Sequence, residues 1–81
     1  MRPAALELFH ALPEPESAAA RRLVSDLGLL DEVTFRNVAF DSHRAALAAA
    51  GGARTPALLD ADGLHEGLDA IRSALAPRAR R

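Results

Sequence analysis

The sequence predicts an α/β domain with three layers, and three observations support that prediction. Its 81 residues provide room for one domain with one modest core. Apolar residues make up 49% of the chain, and segments with strand-like alternation are separated by segments with helical periodicity. The chain has no cysteine, so its core forms without a disulfide. We predict a single domain over residues 1–81, with its core at about 5–76 and an arginine-rich tail at 77–81.

The first half of the chain predicts a β-α-β unit. A strand is expected over 5–10, because its side chains alternate between two faces. A helix then begins at Pro15 and ends at Gly28, and a β-rich run without glycine or proline predicts a second strand over 33–40. The predicted apolar stripe of the helix consists of Ala20, Leu23, Val24, Leu27 and Leu30, and its solvent face of Arg21, Arg22, Ser25 and Asp26.

The second half predicts a short helix, a β-hairpin and a last helix. Asp41 or Ser42 can cap the short helix, which ends at the glycine pair 51–52. A third strand covers 57–59, and the turn residues at 60–63 lead into a brief fourth strand. The last helix has the apolar positions Leu68, Ile71 and Leu75 and ends at Pro77.

Three short segments resemble, in the same order, segments of the glutaredoxin-like branch of the thioredoxin superfamily. Residues 20–29 are similar to the Ala-Lys-x-Leu-Leu and Leu-Gly-Val pattern of its first helix. The run Gly-Gly-Ala-Arg-Thr-Pro at 51–56 is similar to the segment that holds a cis proline, and 67–71 resembles the Gly-Cys-Asp-Asp-Leu start of the last helix. The resemblance implies a thioredoxin-like three-layer fold, β-α-β-α-β-β-α, with a four-stranded mixed sheet and Pro56 as the cis-proline candidate.

The resemblance also shows where the family's redox motif, Cys-Pro-Tyr-Cys, would fall in this chain. Its four positions correspond to Glu14, Pro15, Glu16 and Ser17. Thiol–disulfide exchange requires a thiolate nucleophile, which neither a glutamate nor a serine provides. We therefore predict a redox-inactive member of the family and exclude thiol–disulfide oxidoreductase activity.

The former active-site surface contains the candidate ligand-binding residues. The resemblance implies that the main chain of Thr55, beside Pro56, pairs with an extended ligand, and that Asp69 receives the ammonium group of a glutathione-like ligand. The basic residue that precedes the motif in related proteins is missing here. Each residue also has a structural interpretation: Thr55 and Pro56 as a turn, and Asp69 as an acid that the dipole of the last helix favours.

Glu14 and Glu16 likewise have two interpretations. As acids at the start of a helix, they can cap it and stabilise it through the helix dipole. The functional alternative makes Glu14 a general base or a ligand anchor, and it requires a raised pKa, whereas the dipole lowers the pKa.

Composition weighs against several other functions. A net charge of −1 gives no field for a nucleic-acid partner, and no apolar run reaches the roughly 20 residues of a membrane span. The histidines His10, His43 and His65 have no helical metal-ligand spacing, so no metal site is predicted. All ten basic residues are arginine and alanine is common, which indicates a GC-rich bacterial genome; we expect a cytoplasmic protein.

These observations predict a redox-inactive glutaredoxin-like domain that acts as a small binding or protein-interaction module. Its acidic rim of Glu14 and Glu16, together with Pro56, would suit a cationic or extended protein or peptide segment. No cofactor is predicted, although the resemblance leaves glutathione possible. The alternative is a glutathione-binding or glutathione-transferase-like enzyme in which Ser17 or His10 supports a ligand thiol. A structural subunit that docks on a neighbour is the third hypothesis.

Overall fold

The computed structural model of the chain describes residues 6–79. The predicted strand start at 5 and the tail arginines at 80 and 81 lie outside the described residues. The elements are β1 (Leu6–His10), α1 (Pro15–Asp26), β2 (Val33–Asn37), α2 (Asp41–Ala49), β3 (Ala57–Asp60), β4 (Gly63–Glu66) and α3 (Leu68–Leu75), followed by a 3₁₀ turn at Ala76–Arg78.

The four strands form one mixed sheet in the order β2-β1-β3-β4. β1 runs parallel to β2 and antiparallel to β3, so Leu8 lies between Phe35 and Leu58. β3 and β4 form an antiparallel hairpin, in which Asp60 is paired with Gly63. The predicted α/β domain with a four-stranded mixed sheet and three helices is confirmed.

Helices cover both faces of the sheet, because the side chains of β1 alternate. Leu6 and Leu8 pack with residues of α1 and α3, whereas Phe9 packs with Leu47 of α2 and with Ala57. We call these the α1/α3 face and the α2 face. The buried side chains of the α1/α3 face are Leu6, Leu8, Ala20, Val24, Leu29, Val33, Leu58, Ile71 and Leu75.

The C-terminal end of α1 differs from the predicted stripe. Leu30 is exposed and Leu29 is buried, because Gly28 takes a φ of 75° and turns the chain out of the helical register. Arg21 was expected on the solvent face, but it is partly buried, and its guanidinium donates a hydrogen bond to His10.

β2 is shorter than predicted and ends at Asn37 instead of residue 40. The side-chain oxygen of Asn37 accepts a hydrogen bond from the amide of Ala39 at 2.9 Å, which turns the chain. Phe40 is consequently the exposed N-cap of α2, and no side-chain cap bond forms there. The predicted caps, Asp41 and Ser42, lie inside the first turn of the helix instead.

Candidate functional site

The candidate site forms where the N-terminus of α1 meets the segment that enters β3. The peptide bond between Thr55 and Pro56 is cis, and Pro56 is buried. Since β3 lies next to β1 and α1 follows β1, this segment approaches the start of α1. The structure thereby brings Thr55 into contact with Glu14.

Three side chains form a compact hydrogen-bonded cluster at this point. The Glu14 Oε1 atom accepts a hydrogen bond of 2.7 Å from the Ser17 hydroxyl and another of 2.7 Å from the Thr55 hydroxyl. Ser17 is fully buried at 0% exposure, and its Oγ accepts a bond of 3.1 Å from the amide of Ala11. The hydrogen bonds from Thr55 and then Ser17 lower the pKa of Glu14 below its ordinary value.

This geometry limits the chemistry of the cluster. Glu14 is ionised at neutral pH and already accepts two hydrogen bonds at one oxygen, which disfavours a general-base role. The buried Ser17 hydroxyl both donates and accepts, so a ligand thiol does not reach it. The arrangement argues against the transferase-like mechanism through Ser17.

The other glutamates of the site stabilise neighbouring segments. Glu16 Oε2 accepts a hydrogen bond of 2.8 Å from the amide of Leu68, which caps the N-terminus of α3. Glu66 Oε2 accepts bonds from the amides of Ala53 and Arg54 at 2.9 and 3.1 Å. Within residues 6–79, the N-cap residue Glu14 forms no side-chain cap bond on α1, and both carboxylates of the predicted acidic rim accept internal hydrogen bonds instead.

An open groove of about 320 Å³ lies beside the cluster. Within residues 6–79, no hydrogen bond engages the main-chain N–H or C=O of Thr55, which lies in the lining. Arg44 also lines the groove and bonds to the carbonyl of Val38 and to Asp41. The lining residues are Glu14, Val38, Arg44, Leu47, Ala53, Arg54 and Thr55.

The two arginines of this groove were not singled out from the sequence. Arg54 directly precedes Thr55, so adjacency to a candidate residue was the signal that could have identified it. Arg44 reaches the groove only through the packing of α2, which the sequence does not reveal. Asp69, by contrast, is not part of the lining; its fully exposed carboxylate contacts Arg72 at 3.4 Å.

His10 lies close to the site but is not accessible. It is 6% exposed, its ring packs edge-on against Phe35, and its Nδ1 accepts a hydrogen bond of 3.0 Å from Arg21. Burial first, and then the charges of Arg21 and His43, lower the pKa of His10. The ring is thus a neutral acceptor in a packed environment, which does not suit contact with a ligand thiol.

A separate polar cluster closes the hairpin at the other end of β3. His65 Nε2 and Asp60 Oδ2 are 3.0 Å apart, and the other oxygen of Asp60 accepts a bond from the amide of Asp62. Burial raises the pKa of Asp60, but the bonds from His65 and the backbone outweigh this and lower it overall. Asp60 therefore stabilises the turn. Across residues 6–79, no three His, Cys, Asp or Glu side chains converge as metal ligands.

Comparisons with known proteins do not assign the chain to a family. A scan against models of protein families finds no match, and a search of curated proteins finds no similar sequence. Among the described helices, none has the length and apolar character needed to cross a membrane.

Proposed function

We propose that the chain is a redox-inactive glutaredoxin-like domain that binds an extended segment of a protein or peptide. The observation that carries this proposal is the main chain of Thr55, which forms no hydrogen bond within residues 6–79 and lies beside an open groove. An extended ligand can pair with that N–H and C=O, while its side chains occupy the groove.

The arrangement of elements supports the glutaredoxin-like assignment. The strand order β2-β1-β3-β4, with α1 and α3 on one face and α2 on the other, agrees with the fold that the local resemblances imply. The position of Pro56 beside the N-terminus of α1 agrees as well. The chain contains no cysteine, so its function excludes thiol–disulfide exchange.

The charges in the groove favour a ligand with a carboxylate over a cationic one. Arg44 and Arg54 line the groove together with Glu14, which is already bonded to two hydroxyl groups. The guanidinium of Arg54 lies beside Gly67, where Glu16 Oε2 is also near, and it forms no hydrogen bond or ion pair among residues 6–79. An acidic group on the ligand would supply an ionic partner.

Glutathione is a second candidate, because it is extended and carries two carboxylates. The two arginines beside the main chain of Thr55 favour it. The position of Asp69 outside the groove weakens it, because no lining carboxylate other than Glu14 is available for the ligand ammonium.

Amide chemical-shift mapping distinguishes these candidates. Uniformly ¹⁵N-labelled protein is titrated with short extended peptides that contain one aspartate and, separately, with reduced glutathione. We expect the peptides to shift the amides of Thr55, Arg54 and Leu47. Arg54→Ala should weaken binding, whereas Arg22→Ala, an exposed arginine on α1, should not.

Shifts confined to the hairpin turn or to the outer surface of α3 would contradict the proposal. Saturable shifts at Thr55 with glutathione alone, and none with peptides, would make glutathione the ligand. If peptides and glutathione both shift the amide of Thr55, their dissociation constants are compared. We expect the peptide to bind more tightly, and tighter binding of glutathione would make glutathione the ligand.

A further inference from the structure

A second groove continues from the first on the other side of Arg44. It has a volume of about 450 Å³, and its lining includes Leu12, Pro13, Val38 and Ala39. Val38 and Arg44 line both grooves, so the two are adjacent along the surface. The lining of the second groove is mainly apolar, apart from Asn37 and Arg44.

A large apolar side chain is exposed in the lining of this second groove. Leu12 in that lining is 59% exposed. The hydrogen bonds from Ala39 to the Asn37 side chain and from Arg44 to the Val38 carbonyl fix the backbone here. A small domain that keeps exposed apolar groups on an ordered backbone provides a surface that a ligand side chain can bury.

Two arginine side chains at the first groove place positive charge next to this apolar surface. Arg44 lies at the junction of the two grooves, and Arg54 lies beyond it in the first. One guanidinium nitrogen of Arg44 donates to the Asp41 carboxylate, which is 92% exposed. A guanidinium has five N–H donors, so others on Arg44 remain available to a ligand. The two grooves together thus present an apolar region followed by one that is lined by two arginines and by Glu14.

We propose, on the basis of the proposed function, that one extended segment occupies both grooves. An apolar side chain of the ligand fills the groove at Leu12 and Val38, and a carboxylate close after it contacts Arg44 and Arg54. The ligand main chain then reaches Thr55. The recognised feature is a large apolar residue next to an acidic residue or a C-terminal carboxylate.

The proposal is tested by fluorescence anisotropy with a matched set of labelled peptides. The parent peptide contains Leu followed by Asp in a short Gly-Ser context. In one analogue Asn replaces the Asp, and in another Ser replaces the Leu. We expect each analogue to bind at least about tenfold more weakly, because each lacks one of the two interactions.

Variants of the protein test which of its side chains contact the Leu and the Asp of the peptide. Leu12→Ser should weaken the parent peptide but not the Leu-to-Ser analogue, and Arg54→Gln should weaken the parent but not the Asn analogue. Arg22→Gln is the matched control. The altered side chains are exposed, so circular dichroism should show an unchanged fold.

The possible failures are distinguishable. If all three peptides bind equally and still shift the amide of Thr55, the two-groove proposal is wrong while the proposed function stands. If peptides bind but Leu12→Ser and Arg54→Gln have no effect, the assignment of the grooves is also wrong. If no peptide binds, both proposals fail.

Discussion

The two faces of the sheet differ in how much core they bury, and residues of the thinner side line the candidate groove together with Glu14 at the start of α1. The α1/α3 face is packed by two helices, with Leu8, Leu58 and Ile71 fully buried. The α2 face has a much smaller buried cluster around Phe9 and Leu47. Val38 and Leu47 of this smaller layer border the grooves. The α1/α3 face thus buries the larger part of the core, and side chains of the α2 face line the grooves.

The largest expected effect tests this difference directly. Ile71→Ala should lower the free energy of unfolding by about 2–5 kcal/mol, because the fully buried side chain leaves a cavity. Leu47→Ala should fall toward the lower end of that range, because Leu47 lies in the thinner layer and borders the groove. Urea unfolding followed by circular dichroism measures both, since the chain has no tryptophan.

Ile71→Val provides a smaller step, with an expected loss of about 0.5–1.5 kcal/mol, if Ile71→Ala does not fold. An equal or larger loss at Leu47 would mean that the α2 face contributes as much stability as the α1/α3 face.

The buried hydroxyl of the candidate site should give the next largest effect. Ser17→Ala removes the acceptor for the Ala11 amide and one donor to Glu14, which should cost about 1–3 kcal/mol of unfolding free energy. It should also raise the pKa of Glu14, measured by NMR of the side-chain carboxyl carbon. Ser25→Ala, at an exposed position of the same helix, should change stability by less than about 0.5 kcal/mol.

An unchanged pKa of Glu14 in the Ser17→Ala variant would contradict the hydrogen-bonded cluster. Loss of stability without that shift would point to packing alone as the role of Ser17.

His10 should make the stability depend on pH. Its pKa is lower in the folded protein than the ordinary value of 6.5, so the unfolded chain binds the proton more readily. Its stabilising contribution is present above about pH 6.5 and is lost as the pH falls through the lower folded pKa. Arg21 on α1 and His43 on α2 are the charged or titratable groups that disfavour the protonated ring.

Urea unfolding between about pH 7.5 and pH 5.5 measures this dependence. His10→Gln keeps a hydrogen-bond acceptor for Arg21 but removes the titration, so its stability should fall less over the same interval. Identical pH profiles for the two proteins would rule out His10 as the source.

The smallest expected effect concerns Glu66. Glu66→Gln replaces a charged acceptor with a neutral one at the amides of Ala53 and Arg54, so the unfolding free energy should fall by less than about 1.5 kcal/mol. Hydrogen exchange of those two amides should become faster, and peptide affinity should fall several-fold because they precede Thr55. Unchanged exchange at both amides would show that Glu66 does not hold this segment.

Local patterns were sufficient to predict most of the fold. The alternation in β1 identifies its two faces, and Pro15 marks the start of α1. The prediction was wrong where a single turn changes the helical register. At Gly28 the chain turns, so Leu29 is buried in the core and the predicted Leu30 is exposed. The prediction was also wrong where Asn37 bonds to the backbone and ends β2 early.

The site was less predictable, because its contacts join residues far apart in the chain. Glu14 and Thr55 are 41 positions apart, and Glu16 and Leu68 are 52 positions apart. Both glutamates were expected at the start of α1, but their acceptor roles depend on tertiary packing. Arg44 enters the groove for the same reason, and no local pattern marks it.

The position of Thr55 has one more consequence. Its N–H and C=O, which form no hydrogen bond within residues 6–79, lie just before β3, an interior strand between β1 and β4, whereas the open edges of the sheet belong to β2 and β4. A ligand paired at Thr55 meets the start of α1 on one side and the Gly67 turn on the other. It cannot add a continuous strand to the sheet. Recognition at this point is therefore confined to a few main-chain groups and does not offer a template for fibril-like growth.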